Sequence, residues 1–146
     1  LLRLAALRGM TLLEKVLKAE RVFLIGNGGS WANAIHISND LHAAGVAAFT
    51  LDAATLTATA NDFSYEEVFS RWLQVVASRK DLLIALSGSG VSRNIVRALA
   101  EAERIGMEVH LVTHYLNGKT MQESEEEQLV VGHRLREELM LVRQCS

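Results

Sequence analysis

Three serines and two glycines follow a short apolar run in the middle of the chain, in the segment Ser87-Gly88-Ser89-Gly90-Val91-Ser92. The run before them, 82–86, is predicted to be a buried strand, and a helix is predicted to start directly after them. Serine hydroxyls, free amides and the positive end of a helix dipole can together surround a phosphate without any lysine. We therefore predict a phosphate site at Ser87, Gly88, Ser89 and Ser92; the alternative is serine capping within a flexible turn.

A second glycine-rich segment, which contains Asn27, Gly28, Gly29 and Ser30, follows the strand predicted at 22–25. Ligands of open α/β sheets bind beyond the carboxyl ends of the strands, where both loops fall. Glycines allow close approach to a ligand, and Ser30 is able to cap the next helix, so we predict an anion or hydroxyl site. The alternative is an ordinary glycine-rich turn. Neither loop has the spacing of a P-loop or a dinucleotide site, so no nucleotide cofactor is expected.

The helix predicted after this glycine-rich segment carries a polar stripe, because Asn33, His36 and Asp40 recur at three- and four-residue spacing. His36 and Asp40 lie one turn apart and can converge on one proton, one metal ion or one substrate. The alternative is a solvated helix face with a surface ion pair. Further along the chain, the pair Asn61 and Asp62 either forms a turn or holds sugar hydroxyls.

Short apolar runs alternate with segments of helical periodicity along the whole chain. This alternation predicts parallel strands that are covered by helices on both faces. The expected fold is an α/β three-layer αβα sandwich with a five-stranded parallel sheet, of the flavodoxin-like or Rossmann-like kind. The length of 146 residues suits one domain, residues 1–146. The five predicted strands are 22–25, 47–51, 82–86, 109–113 and 128–131.

Composition and charge exclude several classes of function. Hydrophobic residues make up 49% of the chain and charged residues 22%, a balance that suits a buried core. The net charge of -2 argues against direct nucleic-acid binding. The apolar runs are far shorter than a membrane span, and residues 1–17 predict an amphipathic helix. The only cysteine, Cys145, favours a reducing compartment, so we expect a cytoplasmic protein without membrane contact.

Three motifs in this order resemble those of bacterial phosphoheptose isomerases, which are members of the sugar isomerase (SIS) domain family. The first is Gly26-Asn27-Gly28-Gly29-Ser30 with His36 six residues later, and the third is the serine loop 87–92. Between them lies Asn61-Asp62-Phe63-Ser64-Tyr65-Glu66-Glu67-Val68-Phe69. The similarity runs over about residues 22–112. It implies a five-stranded parallel sheet between helices and a homotetramer with sites at subunit interfaces.

The resemblance also implies a reaction, the conversion of sedoheptulose 7-phosphate to D-glycero-D-manno-heptose 7-phosphate. This reaction is the first step toward the activated heptose of lipopolysaccharide and related glycans. The resemblance assigns the phosphate to Ser87, Ser89 and Ser92. It assigns contacts with the sugar to residues 27–30 and to the pair at 61–62.

Interconversion of a ketose and an aldose needs a base that removes a proton beside the carbonyl and an acid that returns one. In the family, a histidine and a glutamate on the first helix, with a glutamine and a histidine on the last helix, bind zinc and carry this proton traffic. The resemblance therefore makes His36 and Asp40 the catalytic residues and zinc ligands, with Asp40 one methylene shorter than glutamate. Residues 132–146 offer His133 and Gln144 in the reverse order, so no acid or metal partner is expected there.

A second class of function is a non-catalytic SIS module. It resembles the SIS protein that assists the bacterial replication initiator, or the SIS sensors of sugar-responsive regulators. This alternative predicts phosphosugar binding without conversion, and a protein partner. The absence of the family's pair of residues from 132–146 favours it. The acidic run of Glu123 and residues 125–127 is interpreted as solvated surface.

Overall fold

The computed structural model describes residues 9–113 and 119–146. Helices and strands alternate along these residues, as the sequence predicts. The predicted helix over 1–17 lies partly outside the described residues, and its described part begins only at Leu12. The elements are α1 Leu12–Lys18, β1 Val22–Gly26, α2 Gly29–Ala43, β2 Ala48–Thr50, α3 Ala53–Asp62, a 3-10 turn Tyr65–Glu67, α4 Val68–Val76, β3 Leu82–Leu86, α5 Arg93–Ile105, β4 Glu108–Val112 and α6 Met121–Gln144.

The strands form one parallel sheet in the order β2-β1-β3-β4. β1 and β3 are fully buried and pair along their whole length, from Val22 opposite Leu82 to Gly26 opposite Leu86. Strands covered on both faces need apolar residues at nearly every position, which explains why these runs are continuous in the sequence. Both glycine-rich loops therefore leave the sheet at the same end. The first four predicted strands are confirmed, with ends that differ by at most one residue.

Helices cover both faces of the sheet, which confirms the three-layer arrangement. The first core contains side chains of α1, α2 and α6, among them Val16, Ile37, Leu41, Leu135 and Leu139. The second core contains side chains of α4 and α5, among them Phe69, Leu73, Ile95 and Ala98. Burial of each large apolar side chain stabilises the fold by about 1.5–3 kcal/mol, so both layers are held firmly to the sheet. In the described part of the chain, no helix combines the length and the apolar character needed to cross a bilayer.

The fifth predicted strand, 128–131, is wrong, because these residues lie inside the 24-residue helix α6. The helix begins at the cap residue Thr120, whose side chain accepts the amide of Glu123 while the Glu123 carboxylate accepts the amide of Thr120. This reciprocal capping and the acidic first turn favour a helix. Periodicity alone cannot assign an apolar run as short as 129–131 to a strand or a helix. The described residues thus form a sheet of four strands.

β4 is an edge strand of this sheet. Its outward-facing carbonyl at Val109 accepts a hydrogen bond of 2.6 Å from the ammonium of Lys15 on α1. The same ammonium lies 2.9 Å from the carboxylate of Glu108. α1 therefore holds a positive charge directly on the exposed edge of the sheet.

Candidate active site

The serine loop leaves β3 and enters α5 beside a small pocket. The Ser87 hydroxyl accepts the amide of Gly90 at 3.0 Å, and the Ser89 hydroxyl accepts the amide of Val91 at 3.3 Å. Each of these hydroxyls keeps its own hydrogen to donate to a ligand. Ser92 is the N-cap residue of α5 but makes no side-chain capping bond. The loop thus presents three serines and a helix N-terminus to the pocket, which suits an anion.

An amide pair joins this loop region to the loop after β1. Asn27 and Asn94 exchange two side-chain hydrogen bonds, of 2.9 and 2.8 Å. The hydroxyl of Tyr65 donates a third, of 2.8 Å, to the Asn27 carbonyl oxygen. Because these bonds occupy both ends of the Asn27 side chain, this residue positions the two loops against each other. Sequence reasoning missed Asn94 and Tyr65, although Tyr65 lies within a motif that carries the family resemblance.

The start of α2 differs from the prediction that Ser30 caps the helix. The N-cap residue is Gly28, whose φ of 55° lies in the left-handed region that favours glycine. Ser30 is buried instead, and its hydroxyl accepts a bond of 3.0 Å from the amide of Gln128 on α6. The side-chain oxygen of Gln128 in turn accepts a hydrogen bond of 3.0 Å from the side-chain amide of Asn33. This buried polar bridge fixes α2 and α6 side by side.

Two turns along α2, three titratable side chains converge. The Oδ2 atom of Asp40 lies 3.3 Å from the Nε2 atom of His36 and 3.7 Å from the Nε2 atom of His133, and the two nitrogens are 3.1 Å apart. His36 and Asp40 come from α2, as predicted from their spacing, whereas His133 comes from α6. The expectation that residues 132–146 hold no metal partner is therefore wrong. We call these three residues the His-Asp-His cluster.

The cluster has the shape of a metal site. The Asp40 Oδ2 atom is buried without a hydrogen-bond partner in the described part of the structure, although an isolated buried carboxylate oxygen is costly. A tetrahedral zinc ion with nitrogen and oxygen ligands requires those atoms to lie about 3.3–3.6 Å apart. The three separations in the cluster fall close to that range. Its residues therefore fit a zinc ion with three protein ligands, the number found in catalytic zinc sites.

Close packing of the two helices creates the cluster. Gly132 is buried on α6, and a Cβ atom at this position would lie 2.5 Å from the Cγ1 atom of Ile37 on α2. Only a residue without a side chain allows the helices to approach so closely. The approach brings His133 against His36, one residue before Ile37. Sequence reasoning could not find this pairing, because 97 positions separate the two histidines.

The remaining predictions concern the pair Asn61 and Asp62 and the acidic run at the start of α6. Asn61 and Asp62 lie exposed at the end of α3 and bond to each other at 3.1 Å, so they do not line the pocket in the described structure. Their contact with a sugar stays a prediction. The interpretation of the acidic run as solvated surface fails for one member, since Glu125 lines the pocket beside the serine loop. Glu125 also lies two helical turns before His133, where the resemblance places a glutamine.

Comparison with known proteins agrees with this arrangement. The SIS domain model matches residues 7–113. The chain belongs to the SIS domain family. The phosphoheptose isomerase of Buchnera aphidicola is 39% identical over 107 residues, which are 68% of this chain and 55% of that protein. The phosphoheptose isomerase of Akkermansia muciniphila is 40% identical over 113 residues, which are 72% of this chain and 60% of that protein.

A solved structure of this SIS-domain group supports the fold. The phosphoheptose isomerase of Neisseria gonorrhoeae superposes with a TM-score of 0.80 at 23% sequence identity. The superposition covers 88% of this SIS chain and 80% of the gonococcal chain. The SIS chain spans a little over half the length of the curated relatives named above. At this identity, the structural likeness establishes the fold.

Proposed function

We propose that this SIS chain is a phosphoheptose isomerase that converts sedoheptulose 7-phosphate to D-glycero-D-manno-heptose 7-phosphate, on the way to activated heptose and lipopolysaccharide. The observation that carries the proposal is the convergence of His36, Asp40 and His133 on one point beside α2, the helix whose start borders the serine pocket. Relatives at about 40% identity bear this enzyme's name, which supports the same reaction. The proposal assigns one end of the substrate to the serine pocket and the other end to the His-Asp-His cluster.

The phosphate end would occupy the serine pocket. Ser87 and Ser89 can donate their hydroxyl hydrogens, and the uncapped start of α5 at Ser92 offers free amides. The His-Asp-His cluster lies seven residues along α2 from Gly29, or about 10 Å at the rise of an α-helix. A seven-carbon sugar with a terminal phosphate has a comparable length. The carbonyl end can therefore reach the cluster while the phosphate stays in the pocket.

Proton transfer is assigned to the carboxylate of Asp40, which is buried and whose Oδ2 atom makes no hydrogen bond within the described residues. It would take the proton from C1, beside the C2 carbonyl of the ketose, and return it to C2 of the enediol. The Nε2 atoms of His36 and His133 lie within 3.7 Å of this oxygen and can exchange the hydroxyl protons. The guanidinium of Arg136 lies 3.9 Å from the other carboxylate oxygen, Oδ1.

Zinc is part of the proposal, since His36, Asp40 and His133 fit its ligand set. These three residues would hold the ion, as the two histidine nitrogens and the carboxylate oxygen already face one another. A zinc ion supplies Lewis-acid polarisation of a carbonyl, which acidifies the neighbouring carbon. A carboxylate has two oxygens, so Asp40 can serve as a ligand with one and as a base with the other.

Turnover of sedoheptulose 7-phosphate by the purified chain, with and without added zinc, tests the proposal. We expect conversion by the wild type and a loss of at least about 100-fold for Asp40→Asn, because the base becomes a neutral amide. Glu138→Gln, an exposed position on α6, is the matched control and should retain wild-type turnover. Absence of turnover under both metal conditions would contradict the proposal.

The cluster also favours an enzyme over the non-catalytic SIS module. A module that only binds a phosphosugar needs the serine pocket and has no use for a buried carboxylate that faces two imidazoles. The same assay separates the two functions. Calorimetric binding of sedoheptulose 7-phosphate without any conversion would support the binding module.

The proposal includes a homo-oligomer, because α3 has no buried residue and carries no charged side chain before Asp62. An exposed helix of alanines and threonines is unusual on a protein surface and suits contact with a second copy. Analytical ultracentrifugation of Ala58→Glu should show a smaller species than the wild type. Ala100→Glu, an equally exposed alanine on α5, should leave the sedimentation unchanged. A monomeric wild type would contradict this part of the proposal.

A further inference from the structure

A methionine side chain forms part of the serine pocket, among hydroxyls and amides that suit an anion. Met121, the first residue of α6, lines the pocket together with Ser87, Gly88 and Ser89. A Cβ atom at Gly88 would lie 2.7 Å from the Met121 sulfur and 3.4 Å from its methyl carbon, so the thioether rests directly on the serine loop. Among the described residues that line this pocket, no other contains sulfur. One atom of the pocket is therefore open to chemical modification by an oxidant.

Solvent reaches this methionine. Met121 is 48% exposed, close to the 40% of Met140 near the other end of α6, whereas Met107 is buried at 7%. A hydroperoxide converts an exposed thioether to methionine sulfoxide. In this step the O–O bond of the peroxide breaks and an S–O bond forms. The sulfur loses two electrons, and the peroxide is reduced to water or an alcohol.

The added oxygen changes both the volume and the polarity of the pocket. The free space is about 70 Å³, and one water molecule takes about 30 Å³ in the liquid. A sulfoxide oxygen carries partial negative charge, so it repels a phosphate and competes with it for the hydroxyl hydrogens of Ser87 and Ser89. The hydroxyl of Thr113 donates a bond of 3.0 Å to the Gly88 carbonyl, which restrains the loop from moving away.

A buried hydroxyl group beside the sulfur provides a donor for the sulfoxide. The Ser124 hydroxyl is fully buried and makes no hydrogen bond within the described residues. Its oxygen would lie 3.2 Å from a Cβ atom at Gly88, next to the same point as the Met121 sulfur. A thioether sulfur is only a weak acceptor. Oxidation to a sulfoxide thus supplies the acceptor that Ser124 lacks.

We propose that Met121 is an oxidation site, whose sulfoxide accepts a hydrogen bond from Ser124 and weakens phosphate binding in the serine pocket. The inference rests on the phosphate site of the proposed function and adds a reversible control of it by hydroperoxides. Methionine sulfoxide reductases restore the thioether, so the change is not permanent. Only the phosphate end of the ligand is affected, and the inference therefore does not depend on turnover.

Calorimetry of the full chain with inorganic phosphate, before and after treatment with hydrogen peroxide, tests the inference. Mass spectrometry of the peptide that contains Met121 measures the extent of its oxidation. We expect the dissociation constant of the wild type to rise by about tenfold or more on oxidation, because donors are lost and the oxygens repel each other. Methionine sulfoxide reductases that act on both epimers should restore the original affinity.

Three variants identify the residue responsible, each by the ratio of its dissociation constants after and before peroxide. Met121→Leu has no sulfur in the pocket, so its ratio should stay at one. Met140→Leu is the matched control, since Met140 is similarly exposed but does not line the pocket; its ratio should equal that of the wild type. Both variants keep Cys145, so its oxidation cannot explain a difference. Ser124→Ala should show a smaller ratio than the wild type, because the sulfoxide oxygen then lacks its donor.

The outcomes separate this inference from the enzyme proposal. Unchanged phosphate affinity of a wild type with Met121 fully oxidised would overturn the inference. A Met121→Leu variant that loses as much affinity as the wild type would overturn it too, since the loss would then come from another residue. Failure of the untreated wild type to bind phosphate would contradict both the inference and the proposed phosphate site. Phosphate binding without turnover of sedoheptulose 7-phosphate would contradict the enzyme proposal alone.

Discussion

At the scale of single residues, the proposed metal site depends on His133, the one ligand that α6 supplies. Removing it in His133→Ala leaves two ligands from one helix turn, which hold zinc poorly. We expect the zinc affinity to fall by about 100-fold or more, since even loss of an outer-shell partner costs 10–100-fold. Titration of the apo chain with zinc checks this. His42→Ala removes an exposed histidine of α2 whose ring meets the ring of Phe49 edge to face, and it should keep the wild-type affinity.

His110 on β4 makes the stability of the fold depend on pH. Burial, and then the nearby charge of Lys15, lower the pKa of His110 below its ordinary value. As the pH falls, the unfolded chain therefore takes up the proton before the folded chain does, and the folded state loses stability. This contribution is complete above the ordinary histidine pKa and decreases as the pH falls from that value toward the lowered one.

The measurement is urea unfolding of the wild type and of His110→Gln between pH 7 and pH 5. The wild type should lose more free energy of unfolding over this range than the variant. The two curves would run parallel if His110 did not contribute.

Two buried serines should respond differently to the loss of their hydroxyl groups. The Ser124 hydroxyl is fully buried without a partner in the described structure, whereas the Ser30 hydroxyl accepts Gln128. Ser124→Ala should leave the free energy of unfolding unchanged or raise it by up to about 1 kcal/mol, because it removes an unsatisfied polar group. Ser30→Ala should lower it by about 1–3 kcal/mol, because the Gln128 amide then lacks an acceptor. Equal losses in both variants, measured by urea unfolding, would contradict this account.

The residues that the sequence reveals are those whose partners are close in the chain. Helical spacing places His36 beside Asp40, and the strand-glycine-helix order indicates where Ser87 and Ser89 lie. Partners from α6 could not be found in this way. His133 and Glu125 reach the site only because α6 packs along α2, and nothing in the local sequence specifies that neighbour.

At the scale of elements, the contact between α2 and α6 depends on Gly132. A methyl group there would collide with Ile37 and push the helices apart. We expect Gly132→Ala to lower the free energy of unfolding by about 1–2 kcal/mol, since overpacking outweighs the gain of about 1 kcal/mol in helix propensity. Zinc affinity should fall too, because His36 and His133 separate.

Urea unfolding and zinc titration of the same preparations check this prediction. Gly9→Ala is the control, as a Cβ atom at Gly9 meets no other atom. Adding Ile37→Val to Gly132→Ala should restore part of both losses by making room for the methyl group. A fully stable Gly132→Ala with wild-type zinc affinity would show that the helices do not need the glycine.

The apolar pattern of the sequence predicts helices and strands well where the buried face of the element determines that pattern. Strands β1 and β3 are continuous apolar runs that lead into glycine-rich loops, and α5 repeats its apolar residues at helical spacing, so the prediction and the structure agree. The start of α6 follows a different signal. Thr120 and Glu123 form a capping box that marks a helix, and giving this signal more weight than the apolar run at 129–131 would have prevented the error at the fifth strand.

At the scale of the whole molecule, the described sheet has four strands and one of its outer strands is β4. The sequence predicts the order of elements and the three layers, because alternation along the chain determines them. It does not predict which strand lies at the edge, since pairing order depends on contacts between distant segments. The site at the ends of β1 and β3 lies away from this edge and needs only the central pair.

The ammonium of Lys15 on the Val109 carbonyl bears on how the protein behaves at high concentration. An unpaired strand edge can recruit a strand from another molecule, and a lysine placed there makes such growth unfavourable. Lys15→Met should therefore keep the fold but aggregate more during refolding, measured as increased light scattering. Lys18→Met, on the same helix without this contact, should scatter no more light than the wild type. One side chain of α1 therefore opposes self-association through the edge of β4, which lies away from the candidate active site.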